Sequence, residues 1–133
     1  MLVSNYQNFE MEECKGEQRL KGLTFHMVPQ AYYQAQPPEQ DYRPEPMVLG
    51  KEDFIHCTTG AENVVATGER FYRADPRPFY LLVIDLEKVL APVRYDAPGE
   101  IFPHIYGPLN RDAIIEIRPF ERTPDGRFFI KAT

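Results

Sequence analysis

The stretch A-I-I-E-I-R-P-F-E-R-T-P-D-G-R-F-F-I-K, Ala113–Lys131, decides the fold class. Ala113–Phe120 reads as a strand, with Ile115 and Ile117 opposed to Ile114, Glu116 and Arg118 at the two-residue period of a pleat. Pro124-Asp125-Gly126 is a strong turn signal, and Arg127–Lys131 pairs back as a hairpin. Before it, Phe79–Ile84 (F-Y-L-L-V-I) is nearly continuous in apolar residues, which suits a central strand covered on both faces. Leu23–Val28, Asp53–Thr58 and Val93–Tyr95 read as further short strands. Only two short-to-medium helices can be found, Gln30–Gln36 behind Pro29 and one running to about Tyr72. A doubly wound parallel sheet needs more crossover helices than these, so the pattern predicts an α+β fold with a largely antiparallel sheet.

Within Leu23–Val28, alternation sets Leu23, Phe25 and Met27 against Thr24, His26 and Val28. Within Asp53–Thr58 it sets Phe54, His56 and Thr58 against Ile55 and Cys57. Adjacent His56 and Cys57 are therefore not expected to form a thiolate–imidazole pair. Thr59-Gly60-Ala61-Glu62 matches a capping box, with Thr59 as N-cap and Glu62 reaching back. Ala61, Val64, Val65, Gly68 and Phe71 or Tyr72 then recur at helical spacing, and Arg70 and Arg73 suit the negative end of the helix dipole. Gln36–Met47 holds Pro37, Pro38, Pro44 and Pro46 and reads as a stiff loop with no regular element.

The chain of 133 residues suits one domain, and 43% hydrophobic content is enough to bury a core. The first 22 residues have no clean period and read as a loose arm, leaving residues 23–133 as the single domain. The net charge of −5, without a basic run, disfavours duplex nucleic acid as a partner. No apolar run approaches the ~20 residues of a membrane span, and no basic start followed by an apolar core marks a signal peptide. Cys14 and Cys57 are too few for a disulfide framework, so a cytoplasmic location is expected.

Function has to be sought among three histidines, His26, His56 and His104, each in an extended or turn segment. His104 stands in E-I-F-P-H-I-Y-G-P-L, Glu100–Leu109. Pro103 and Pro108 lack N–H groups, so each is expected at an edge, a bulge or a turn. Gly107 turns the chain where a Cβ would clash. Such stiff backbone aims a side chain. If the three segments are neighbours, the histidines converge on one cleft. There, imidazoles with an unperturbed pKa of ~6.5 serve as acid and base on a phosphodiester or glycosidic bond, or hydrogen-bond ribose hydroxyls. Taken singly, each also suits a hydrogen-bonded core position. Glu100 can orient His104 or act as a base, and Tyr106 can stack. Thr58 can bind a ligand, and Arg70 can hold a phosphate or simply offset the helix dipole. No spacing marks a metal site, and neither a glycine-rich phosphate loop nor a nucleophile elbow is present.

Three segments are recognisable together. They are F-H-M-V-P at Phe25–Pro29, F-I-H-C-T-T at Phe54–Thr59 with E-R-F-Y at Glu69–Tyr72, and G-E-I-F-P-H-I-Y-G-P-L at Gly99–Leu109. With L-L-V-I-D-L at Leu81–Leu86, their order and spacing resemble the bacterial family called domain of unknown function 952, over about Leu23 to Phe120. The chain departs from that family at Glu69, where Asn is usual, and at Asp96, where Glu is usual. The family is similar in fold to ADP-ribosyltransferases and RNA 2′-phosphotransferases, which bind NAD in the cleft of a split, largely antiparallel sheet. The resemblance implies that His26 meets a ribose and that His56 or Thr58 is the polar residue of the second strand. His104, with Glu100 close by, stands where that wider group carries a glutamate. It also implies a nucleotide-like small-molecule ligand, with NAD as a candidate substrate, and it identifies no cofactor. The catalytic candidates are then His56, His104 and Glu100, and the ligand-binding candidates are His26, Thr58, Arg70 and Tyr106. The alternative is a non-catalytic module of the same fold that binds a small ligand or a protein.

Overall fold

A computed structural model describes residues 22–131. The expected N-terminal arm lies outside the described residues except for Gly22, and Cys14 lies outside them too. The chain forms β1 (Leu23–Pro29), α1 (Gln30–Ala35), α2 (Glu45–Val48), β2 (Ile55–His56) and α3 (Ala61–Tyr72). It continues with β3 (Phe79–Asp85), β4 (Val93–Tyr95), β5 (Pro103–Ile105), β6 (Ile114–Arg122) and β7 (Phe128–Phe129). Single 3₁₀ turns at Leu86–Lys88 and Arg111–Ala113 lead out of β3 and into β6.

The fold is α+β and its strands pair antiparallel. One sheet has the order β1-β3-β6-β7 and the other the order β2-β5-β4. They meet where Phe25 and Thr58 exchange backbone hydrogen bonds of 2.9 and 2.8 Å. The Thr59 hydroxyl adds a bond of 2.9 Å to the Thr24 hydroxyl. This tie replaces the expected capping box. The N-cap of α3 is Gly60, at φ 99°, with no side-chain cap. Thr59 is drawn away because its hydroxyl is committed to β1.

The continuous apolar run of β3 is explained by two cores. Leu82 and Ile84 pack on one side with Val28, Ile55, Cys57, Ile105 and Leu109, between the two sheets. Phe79 and Leu81 pack on the other side with Val64, Phe120 and Phe128, beneath α3. Burial along β1 alternates as the sequence predicts, with Thr24, His26 and Val28 inward. In α3, Val64 and Gly68 are buried, whereas Phe71 is exposed and Tyr72 supplies the apolar contact. Glu69, which departs from the family pattern, accepts a 2.5 Å hydrogen bond from the Phe128 N–H and so holds α3 to β7.

The proline-rich segment differs from the expected featureless loop. Pro46 sits in the first turn of α2, where a missing N–H costs no helical bond. Tyr42 is completely buried, paired through its backbone with Leu109 at 2.8 and 2.9 Å. Arg111 fixes the same segment from the 3₁₀ turn before β6, donating to the carbonyls of Gln40 and Pro37 and to the Tyr33 hydroxyl.

Candidate functional site

The site is built on the small sheet. Pro103, expected at an edge, a bulge or a turn, instead begins β5, the strand between β2 and β4. A first strand residue needs no N–H for the ladder, which is why proline is accepted there. Period two then buries Pro103 and Ile105 and turns His104 to the opposite face. On β2, Ile55 is fully buried and His56 points out. The register pairs His56 with His104 and His104 with Arg94, so these three side chains form a row across the sheet.

The imidazole centres of His56 and His104 are 5.2 Å apart, edge to face. Phe54 stacks on His104 at 4.1 Å with the rings only 22° from parallel, and its centre is 4.7 Å from that of His56. Each histidine meets a carboxylate. Asp96 Oδ2 is 2.8 Å from His104 Nδ1, and Glu52 Oε1 is 2.5 Å from His56 Nε2. A carboxylate can only accept, so His104 donates through Nδ1 and His56 through Nε2. In the neutral rings the lone pairs therefore lie at His104 Nε2 and His56 Nδ1. The Tyr106 hydroxyl also donates to Asp96 Oδ2, at 2.5 Å. That bond, and next the one from His104, hold the Asp96 carboxyl below its ordinary range, while Asp96 raises the Tyr106 hydroxyl. The Arg94 guanidinium lies 4.3 Å from the centre of the Tyr106 ring and 3.5 Å from Asp96. Two histidines, each bonded to a carboxylate, thus stand beside an arginine that is itself paired with Asp96.

His56 also borders a cavity of about 230 Å³ between β1, α2 and the start of β2. His26 forms part of its wall but is only 6% exposed, and both ring nitrogens are engaged inside the protein. Nδ1 is 2.7 Å from the His56 carbonyl oxygen, so it must donate. Nε2 then accepts from the Tyr42 hydroxyl at 2.8 Å. This fixes a neutral ring, and burial lowers its pKa to about 4. His26 is a strut between β2 and the proline-rich segment, with neither ring nitrogen left over for a ligand.

The structure brings together His56, His104 and Tyr106, with His26 behind them. Thr58 is buried at the seam between the sheets, off the face that alternation assigns to it. Arg70 is exposed on the last turn of α3, its guanidinium over the Phe71 ring, and takes no part in the cavity wall. Glu100 occupies the β4–β5 turn at φ 56°, and the carboxylate that engages His104 is Asp96. Arg94, Glu52 and Tyr42 escape a motif search, and Phe54 and Asp96, though noted in the sequence, are not singled out there as site residues. Extending the β4 alternation through Arg94 and Asp96 is the one signal that finds two of them. Cys57 is buried with its thiol pushed up by desolvation, and it stays inert beside His56. Among the described residues no group of three or more His, Cys, Asp or Glu is placed to hold a metal ion, and no helix is long and apolar enough to cross a membrane.

Fold and face together define a small antiparallel α+β domain carrying a histidine pair on an open sheet. The chain belongs to the family described as protein of unknown function, DUF952, whose model matches residues 27–117. It is similar in fold to protein CC0527 of Caulobacter crescentus. One crystal structure of that protein is 20% identical, covers 80% of this chain and 92% of that chain, and superposes with a TM-score of 0.66. Its solution structure is 21% identical, covers 79% and 90% of the respective chains, and gives 0.62. No curated protein matches the chain.

Proposed function

We propose that this protein is an enzyme using His56 and His104 as a general acid–base pair on a nucleotide-like substrate, breaking a phosphoester or glycosidic bond. NAD, ADP-ribose and related nucleotides are the candidate substrates, in keeping with the ADP-ribosyltransferase-like fold that the sequence resembles. The observation that carries the reading is the cross-strand pairing of the two histidines at 5.2 Å, each bonded to its own carboxylate. In hydrolysis, His104 Nε2 takes a proton from water as the water oxygen bonds to phosphorus or the anomeric carbon. The bond to the leaving oxygen breaks, and that oxygen receives the Nδ1 proton of His56, which enters the step as the imidazolium and leaves it neutral, its Nε2–H still bonded to Glu52. Asp96 orients His104 and stabilises its imidazolium, and Arg94 offers charge to a phosphate.

The open position of His56, whose side chain is 61% exposed, favours one alternative, a module that binds such a ligand without turnover. Titration with NAD, ADP-ribose and simple phosphodiesters, watched at the ring signals of His56 and His104, tests the shared premise. Binding that moves both signals, with products appearing, is the expected result. Movement without product supports the binding module, and no movement with any compound removes the nucleotide reading.

A further inference from the structure

We propose that His56 and His104 chelate one divalent cation of the zinc class, a site that goes beyond the acid–base reading and does not depend on it. The ladder sets the two side chains as close as a sheet allows. The Cys57 N–H bonds to the Pro103 carbonyl at 3.1 Å, and the Thr59 N–H to the Ile101 carbonyl at 2.8 Å. These bonds mark the hydrogen-bonded pairs, so His56 with His104, one step along, is a pair of the other kind. In such pairs the Cα atoms are about 4.5 Å apart and the side chains lie nearest. The ring spacing agrees with a shared ion. A tetrahedral zinc ~2.0–2.1 Å from one nitrogen of each ring sets the ring centres about 5.2 Å apart. The two centres are already 5.2 Å apart. Closing the chelate asks the rings to tilt and asks nothing of the backbone.

The carboxylates are the second observation. A histidine that binds a metal through one nitrogen usually gives its other N–H to a carboxylate, carbonyl or water, which fixes the ring and raises its basicity. Both histidines are held that way, His56 through Nε2 to Glu52 and His104 through Nδ1 to Asp96. No hydrogen bond among the described residues engages the nitrogens left over, His56 Nδ1 and His104 Nε2. Glu52 and Asp96 together outweigh the charge of Arg94, which is itself paired with Asp96, so the surroundings favour a cation. Imidazole nitrogens select which one: zinc and its neighbours accept them, whereas magnesium and calcium prefer oxygen. Two protein ligands leave the other tetrahedral positions to water, which makes the site exchangeable rather than structural. An ion there occupies both nitrogens that acid–base chemistry uses, so bound metal and turnover exclude each other.

The test titrates the full untagged chain with zinc chloride, and with magnesium chloride as the contrast, in the absence of substrate. Zinc should move the ring signals of His56 and His104 together, at one ion per chain. The ring signals of His26, whose nitrogens are both engaged, should stay in place. Cys14→Ser should bind zinc as the wild type does. His56→Ala alters an exposed side chain and should weaken binding at least about tenfold, and Glu52→Gln about tenfold to a hundredfold. Zinc shifts confined to one histidine overturn the proposal. So do equal shifts with magnesium, loss of binding in Cys14→Ser, or a His56→Ala chain that binds zinc as tightly as the wild type. Binding is read without substrate, so a chain that binds zinc and cleaves nothing fails the acid–base reading alone, and one that cleaves but does not bind zinc fails this proposal alone.

Discussion

His56 and His104 stand directly opposite one another on β2 and β5, and Phe54 packs against both rings. A cross-strand pair keeps its spacing because the ladder beneath fixes both Cα atoms. The pair is thus preorganised without any enclosing loop, and its carboxylates decide which nitrogen of each ring faces a ligand.

Asp96→Asn tests that orientation. The amide offers a neutral oxygen in place of the charged one shared by His104 Nδ1 and the Tyr106 hydroxyl, so both donors are held more weakly and the His104 imidazolium loses its counter-charge. Turnover should fall about tenfold to a hundredfold while ligand affinity changes little. A kcat and KM measurement on the variant distinguishes this from a binding defect, which raises KM alone.

Stability should depend on His26 in a defined pH window. Its folded pKa, about 4, lies below the ordinary value of 6.5, so the unfolded chain binds the extra proton first. The stabilisation from the neutral ring is complete above ~6.5, is lost as pH falls, and levels off near 4. The full difference is about 3 kcal/mol. Urea unfolding at pH 7 and pH 5 should show the loss, and His26→Gln should flatten it.

Tyr42→Phe removes the only proton offered to His26 Nε2 among the described residues. Both residues are buried, so the acceptor is stranded, and the cost should be about 1–3 kcal/mol by chemical denaturation. An unchanged midpoint contradicts the strut role of His26.

Gly68→Ala sets two effects against each other. Alanine gains up to about 1 kcal/mol of helix propensity. Its Cβ would meet ring atoms of Phe120 and Phe128 at 3.0 and 3.1 Å. Those rings are stacked at 4.5 Å and are both 3% exposed, so neither can yield. Overpacking costs about 1–3 kcal/mol, so the melting temperature should fall.

Much of this architecture is legible in local sequence because local periodicity governs it. The alternation along Leu23–Val28 already sets Thr24, His26 and Val28 on one face, though it does not tell that this face is the buried one, and the hairpin after Thr123 is marked by its turn residues. What is not legible depends on distant partners. Thr59 is a good N-cap in isolation, yet Thr24 takes its hydroxyl. Tyr42 lies among prolines and charges with no period, and only Leu109 and His26 make it a core residue. Pro103 looks unfit for an inner strand until its place as first residue is seen. At the site, Glu100 is nearer His104 in sequence than Asp96, but the β4–β5 turn brings Asp96 back onto the ring.

The most direct test of the acid–base pair is phosphorus NMR of NAD, ADP-ribose and phosphodiester cleavage by the wild type, His56→Ala and His104→Ala. Each single variant should lose roughly 100-fold or more in rate, and the wild type should show a bell-shaped pH profile that each variant reduces to one limb. A substrate cleaved at the wild-type rate by His104→Ala would contradict the account.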